Sequence, residues 1–86
     1  MRIGSLAVLP QKSYVVNLMI FKTNIVNKKQ AMKVAKLLNN EDDILRWNID
    51  RQDVDRVLRV EAVNLGTREI ISIIEKAGHL CEELAG

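Results

Sequence analysis

His79 and Cys81 are the side chains best suited to hold a soft metal ion, and they stand two residues apart in "GHLCEE". The chain has one histidine, one cysteine and three methionines, Met1, Met19 and Met32. Residues two apart on a strand share a face with their Cβ atoms roughly 6–7 Å apart. One ion could bridge His79 and Cys81 only with help from the preceding turn, or from a methionine. A free cysteine otherwise behaves as a small buried hydrophobe, and Met19 and Met32 read as core or flanking gap-fillers. The spacing pairs His79 with no nucleophile, and the carboxylates fall in turns and on polar faces, so no enzyme chemistry is expected.

The second group with chemical potential is Asn27, Lys28, Lys29 and Gln30, within "FKTNIVNKKQAMKV". If this is a strand-to-helix turn, its free backbone N–H groups and two ammonium groups could capture a phosphate or carboxylate. No glycine-rich loop brings the backbone close to such a ligand. Five lysines lie between Lys22 and Lys36 with no acidic residue among them, whereas Glu41, Asp42, Asp43, Glu75, Glu82 and Glu83 collect elsewhere. A modest net charge of +2 therefore hides a dipolar molecule. Lys28, Lys29, Lys33 and Lys36 are the candidates for docking an acidic protein partner, mainly by speeding encounter.

The elements that must position these groups follow from periodicity. "LMIFKTNI" (18–25) alternates, with Met19, Phe21, Thr23 and Ile25 on one side, and reads as a strand. Asn27 can cap a helix whose Ala31, Val34, Ala35 and Leu38 form one stripe. "ILRWNID" (44–50) and "RVLRVEA" (56–62) pair as a hairpin, with Leu45, Trp47, Ile49, Leu58 and Val60 inward. Thr67 can cap a second helix with a stripe of Ile70, Ile71, Ile74 and Ala77, and Gly78 stands where a helix end favours a left-handed residue. "HLCEEL" (79–84) closes as a strand. The order β-α-β-β-α-β predicts an α+β, ferredoxin-like sandwich: a four-stranded antiparallel sheet with two helices on one face. Residues 18–86 form that domain. Residues 1–17 read as a leader, either an accessory edge strand or a flexible extension.

Composition narrows the function classes. Tyr14, Phe21 and Trp47 are the only aromatic residues, too few for a nucleic-acid reader built on stacked bases. No apolar run approaches the roughly 20 residues that span a bilayer. A lone cysteine excludes an internal disulfide, and "MRIGSLAVLP" lacks a full signal-peptide pattern, so a cytoplasmic protein is expected. It is expected to be a monomer or weak dimer, with no nucleic acid and no membrane.

With "FKTNI" opening the first strand, "LRWNIDRQDVDRVLRVEA" as hairpin and "TREIISIIEKAGH" as second helix and turn, residues 19–84 resemble the heavy-metal-associated domain. This is the fold of small copper chaperones and of the N-terminal modules of metal-transporting P-type ATPases. The resemblance implies a Cys-x-x-Cys metal motif in the loop after the first strand, where this chain carries Asn27-Lys28-Lys29-Gln30. Two neutral amides replace two soft thiolates, and two cations stand between them. Some copper chaperones of this type have a Cu(I)-ligating histidine at the position that His79 matches. The resemblance thus implies a degenerate, non-catalytic module that docks partners through its first helix and the preceding loop, with no cofactor expected. Residual binding of Cu(I) or another soft metal through His79 and Cys81 is the alternative.

Overall fold

Alternating burial along the first strand sets the architecture: Met19, Phe21 and Thr23 are buried while Leu18 and Lys22 face solvent. The computed structural model describes residues 15–84. Its elements are β1 (Asn17–Thr23), α1 (Lys28–Asn39), β2 (Ile44–Asp50), β3 (Val57–Ala62), α2 (Thr67–Lys76) and β4 (Cys81–Glu83). The expected leader falls mostly outside the described residues, and β1 begins one residue earlier than the alternation implied. The strands form one antiparallel sheet in the order β2-β3-β1-β4. Val34 and Leu38 of α1 and Ile70 and Ile74 of α2 share a single core with Met19, Phe21, Leu58 and Val60. Both helices therefore cover the same face, and the ferredoxin-like sandwich is the observed fold. Fully burying each large side chain of this core contributes about 1.5–3 kcal/mol.

Three local expectations are corrected. Leu45 points outward, because the β2–β3 register slips between Ile44 and Arg46. One extra residue at a bulge turns a side chain to the opposite face. Ile44 packs inward in its place, and Trp47 and Ile49 pack inward as expected. The cap of α2 is Gly66, with Thr67 already helical, and the Glu69 carboxylate accepts the Gly66 N–H at 2.8 Å. His79 lies in the turn before β4, its N–H bonded to the Ile74 carbonyl at 3.2 Å, so it does not share a strand face with Cys81. Gly78 adopts φ +89°, the left-handed conformation expected where α2 ends.

The end of the molecule that carries the β1–α1 turn is tied together by side chains. β1 runs antiparallel to both β3 and β4, so the 51–56 hairpin loop and the 77–80 turn lie at the same end as residues 24–27. Thr23 is the one buried polar residue among those described. Its hydroxyl donates to the Arg56 carbonyl at 2.6 Å and accepts the Ile25 N–H at 3.2 Å. Its own N–H reaches the Asp55 carbonyl at 3.0 Å. Asn24 Oδ1 accepts the Leu80 N–H at 2.9 Å, linking the third loop.

Candidate functional site

The turn at Asn27–Gln30 is closed by its own amides. Asn27 Oδ1 accepts the Gln30 N–H at 2.8 Å, and Gln30 Oε1 accepts the Val26 N–H at 2.9 Å. Each amide oxygen thus satisfies a backbone donor at the start of α1, a reciprocal cap that fixes how the chain enters the helix. The oxygens engaged this way are hard, neutral donors, and Lys28 and Lys29 place positive charge between them. This donor set does not fit a soft cation. Among the described residues, no group of three or more His, Cys, Asp or Glu side chains is placed to hold a metal.

The alternative pair is also poorly matched to a metal. Cys81 is buried on the inner face, opposite Thr23. Burial, followed by the charge of Glu75, pushes its thiol from 9.0 up to about 12. A neutral thiol at pH 7 is neither a good ligand nor a nucleophile. The consequence for stability has a definite sign. The folded chain holds this proton more tightly than the unfolded one, so the contribution is fully present below about pH 9 and is lost as pH rises toward about 12. Comparing urea midpoints at pH 8 and pH 10.5 for the native chain and Cys81→Ala checks this. The native chain loses more stability over that interval, and equal losses would place the thiol in contact with solvent. Native Cys81 is likewise expected to react with a disulfide reagent far more slowly than the urea-unfolded chain.

What the fold does assemble is a basic surface on α1. Lys28, Lys29, Lys33 and Lys36 line a shallow groove of about 540 Å³ around Met32. Of the two positions open to Met32, core or flanking, the fold gives it the flanking one: it is 56% exposed, because it lies off the Ala31–Val34–Leu38 stripe that α1 turns toward the sheet. The helical spacing of that stripe was the signal that could have found it. The ion pairs among the described residues are Lys22–Asp55 and Arg46–Glu61, both 3.9 Å, so none of the four groove lysines has a carboxylate partner there. The first turn of α1 contains no acid to offset Lys28 and Lys29. Lys22, although part of the same run in sequence, belongs to the outer sheet face with Asp55.

No protein-family model matches the chain, and no curated protein matches it by sequence. Solved structures do. The copper(I)-loaded first domain of the human copper chaperone for SOD1 superposes with a TM-score of 0.69 at 14% identity, over 80% of this chain and 93% of that one. A chain of the Atx1-Cu(I)-Ccc2a complex, whose Ccc2a is a yeast copper transporter domain, gives 0.69 at 20% identity over 79% and 94%. A putative copper-ion-binding protein from Bacillus anthracis gives 0.70 at 8% identity over 81% and 100%. The fold is that of the heavy-metal-associated domain. On this fold the Cys-x-x-Cys pair is absent, since Asn27 and Gln30 hold the turn where the resemblance places it. No helix of the described residues is long and apolar enough to cross a membrane.

Proposed function

We propose that this chain is a small, non-catalytic cytoplasmic binding module of heavy-metal-associated fold that docks an acidic protein partner through α1, without a resident metal. The observation that carries this reading is the cluster of four lysines around an exposed methionine, with no carboxylate in the groove. Ion pairs formed across such a surface mainly accelerate association, while an apolar side chain at its centre slows dissociation. That one structural neighbour is a complex of two proteins supports a docking role for the fold. The capped Asn27–Gln30 turn favours docking over metal or anion capture, because its two amide oxygens and the Val26 and Gln30 N–H groups are already committed to one another.

Poly-L-glutamate serves as a probe of the face. Titrating it into isotope-labelled protein at low salt is expected to shift amide signals of residues 28–36, with the shifts vanishing at high salt. The Lys29→Glu/Lys33→Glu variant should associate about tenfold or more slowly. Shifts centred on Arg46 and Arg59, on the outer sheet face, would move the docking surface off α1 and overturn the reading.

A further inference from the structure

β2 spans seven residues, Ile44–Asp50, at one edge of the sheet, and among the described residues it pairs with β3 alone. Hydrogen bonds elsewhere in the sheet fix which of its backbone groups face outward. The Leu84 N–H reaches the Ile20 carbonyl at 2.9 Å, so Met19 and Phe21, the alternate residues of β1, turn their N–H and C=O toward β3. Val60 and Leu58 answer them, which leaves Val57, Arg59 and Glu61 to bond Asp50, Asn48 and Arg46. The Val63 N–H, bonded to the Asp43 carbonyl at 2.9 Å, keeps the same phase. The N–H and C=O of Trp47 and Ile49 therefore point out of the sheet. The bulge at Leu45 interrupts β2 only at its start, and Arg46–Asp50 stays regular. A regular open edge is a place where another strand adds.

We propose that this edge pairs with the same edge of a second copy of the chain, antiparallel and centred on Asn48. In that register Trp47 of each copy meets Ile49 of the other, so the outward N–H and C=O groups bond each other. On the outer face Arg46 of each copy stands opposite Asp50 of the other, an opposite-charge pair repeated by the symmetry. Centring the pairing on Trp47 would set Arg46 against Asn48, and centring it on Ile49 would set Asp50 against Asn48. Neither brings opposite charges together. The intermediate registers place an outward-facing residue opposite one that faces β3, and their backbone groups do not meet. The charged groups are available: the Arg46 side chain is 76% exposed, with its Nε 3.9 Å from Glu61. Asp50 commits Oδ1 to the Gln52 and Asp53 N–H groups, which leaves Oδ2 for the second copy. On the inner face the half-buried Trp47 donates its Nε1–H to Asn39 Oδ1 at 2.8 Å, so the ring is already held in place. It packs on Ile49 of the other copy, an aromatic and β-branched pair. Pairing over Arg46–Asp50 makes a small interface, expected to dissociate at about micromolar concentrations or above. The proposal does not depend on the α1 groove.

Sedimentation of the full chain across the micromolar to millimolar range should show the mass rising from one chain toward two. Over the same range the Trp47 and Ile49 N–H groups are expected to exchange more slowly as concentration rises, while Asn48, bonded to β3, stays unchanged. Arg46→Glu and Asp50→Lys should each weaken self-association about tenfold or more, because either change sets like charges opposite each other at both symmetric positions. Mixing the two variants should restore association, since the mixed pair again sets opposite charges face to face. If Asp50→Lys disturbs the turn that Asp50 closes, Arg46→Glu and the exchange rates still decide. A single-chain mass throughout the range overturns the proposal, as does self-association that Arg46→Glu leaves unchanged. So does a mixture of folded variants that fails to associate. Trp47 and Ile49 amides protected at every dilution also overturn it, because the edge would then be covered within one chain.

Discussion

Replacing Asn27 and Gln30 together with cysteine should give the chain stoichiometric Cu(I) binding that the native sequence lacks. Anaerobic competition with a chromogenic chelator is expected to show the Asn27→Cys/Gln30→Cys variant removing copper while the native chain leaves it bound. The fold already presents these two positions at the start of α1, one helical turn apart and at the positive end of its dipole. Lys28 and Lys29 between them would lower the thiol pKa values further, which favours the ligating form. Two soft thiolates at that spacing then suit Cu(I), where two amides do not. The change has a second readout. It removes the reciprocal cap formed by Asn27 Oδ1 and Gln30 Oε1, so the metal-free variant should be about 1–2 kcal/mol less stable than the native chain. Copper should restore part of that loss, because a ligand bound only by the folded state stabilises it. If the native chain competes as well as the variant, a site elsewhere holds the metal. His79→Ala would then locate it, and the reading of a module without a metal fails.

Thr23→Val should destabilise the protein by about 2–3 kcal/mol, although it preserves side-chain volume. The hydroxyl satisfies two groups at once, the Arg56 carbonyl and the Ile25 N–H, at a residue that is almost fully buried. Valine leaves both without this partner where water has little access, and each such loss costs about 1–3 kcal/mol. Arg56 makes the site more sensitive. It holds φ at +46°, outside the range most side chains prefer, while its Nη1 donates to the carbonyls of Arg51 and Asp53. Releasing its carbonyl removes one of the bonds that keep it there. Thr23→Ser retains the hydroxyl and loses one methyl, a change of about 0.8 kcal/mol. Urea titration of the three proteins therefore ranks native, serine and valine in that order. Amide exchange at Ile25 and across 53–56 should speed up only in the valine variant. A serine variant as unstable as the valine one would mean that packing, rather than the hydroxyl, is what Thr23 supplies.

The β1–α1 turn was legible in part. Asn27 could be read as a cap because a short polar residue before a helical stripe has that meaning wherever it occurs. That Gln30 closes the same turn from the other side, onto Val26 rather than onto the cap itself, depends on the path of the chain entering α1. The basic run was equally visible, and alternation already set Lys22 on a strand apart from the helix lysines; the fold adds that it faces Asp55 on the opposite layer. For Met32 the sequence left core and flanking positions open, and its place off the stripe is what exposes it.

Alternation along β1 and β3, the stripes on α1 and α2, the left-handed Gly78 and the absence of thiols at positions 27 and 30 were all determined by the sequence alone. Each depends on residues within one turn of helix or a few steps of strand, where backbone geometry dictates which side chains share a face. The bulge that turns Leu45 outward, the burial that pushes the Cys81 thiol up and the bonds of Thr23 to a loop 33 residues away were decided only by tertiary structure. The Asn24–Leu80 bond spans 56 residues. Such contacts depend on which loops the sheet order brings to one end, and no local period records that.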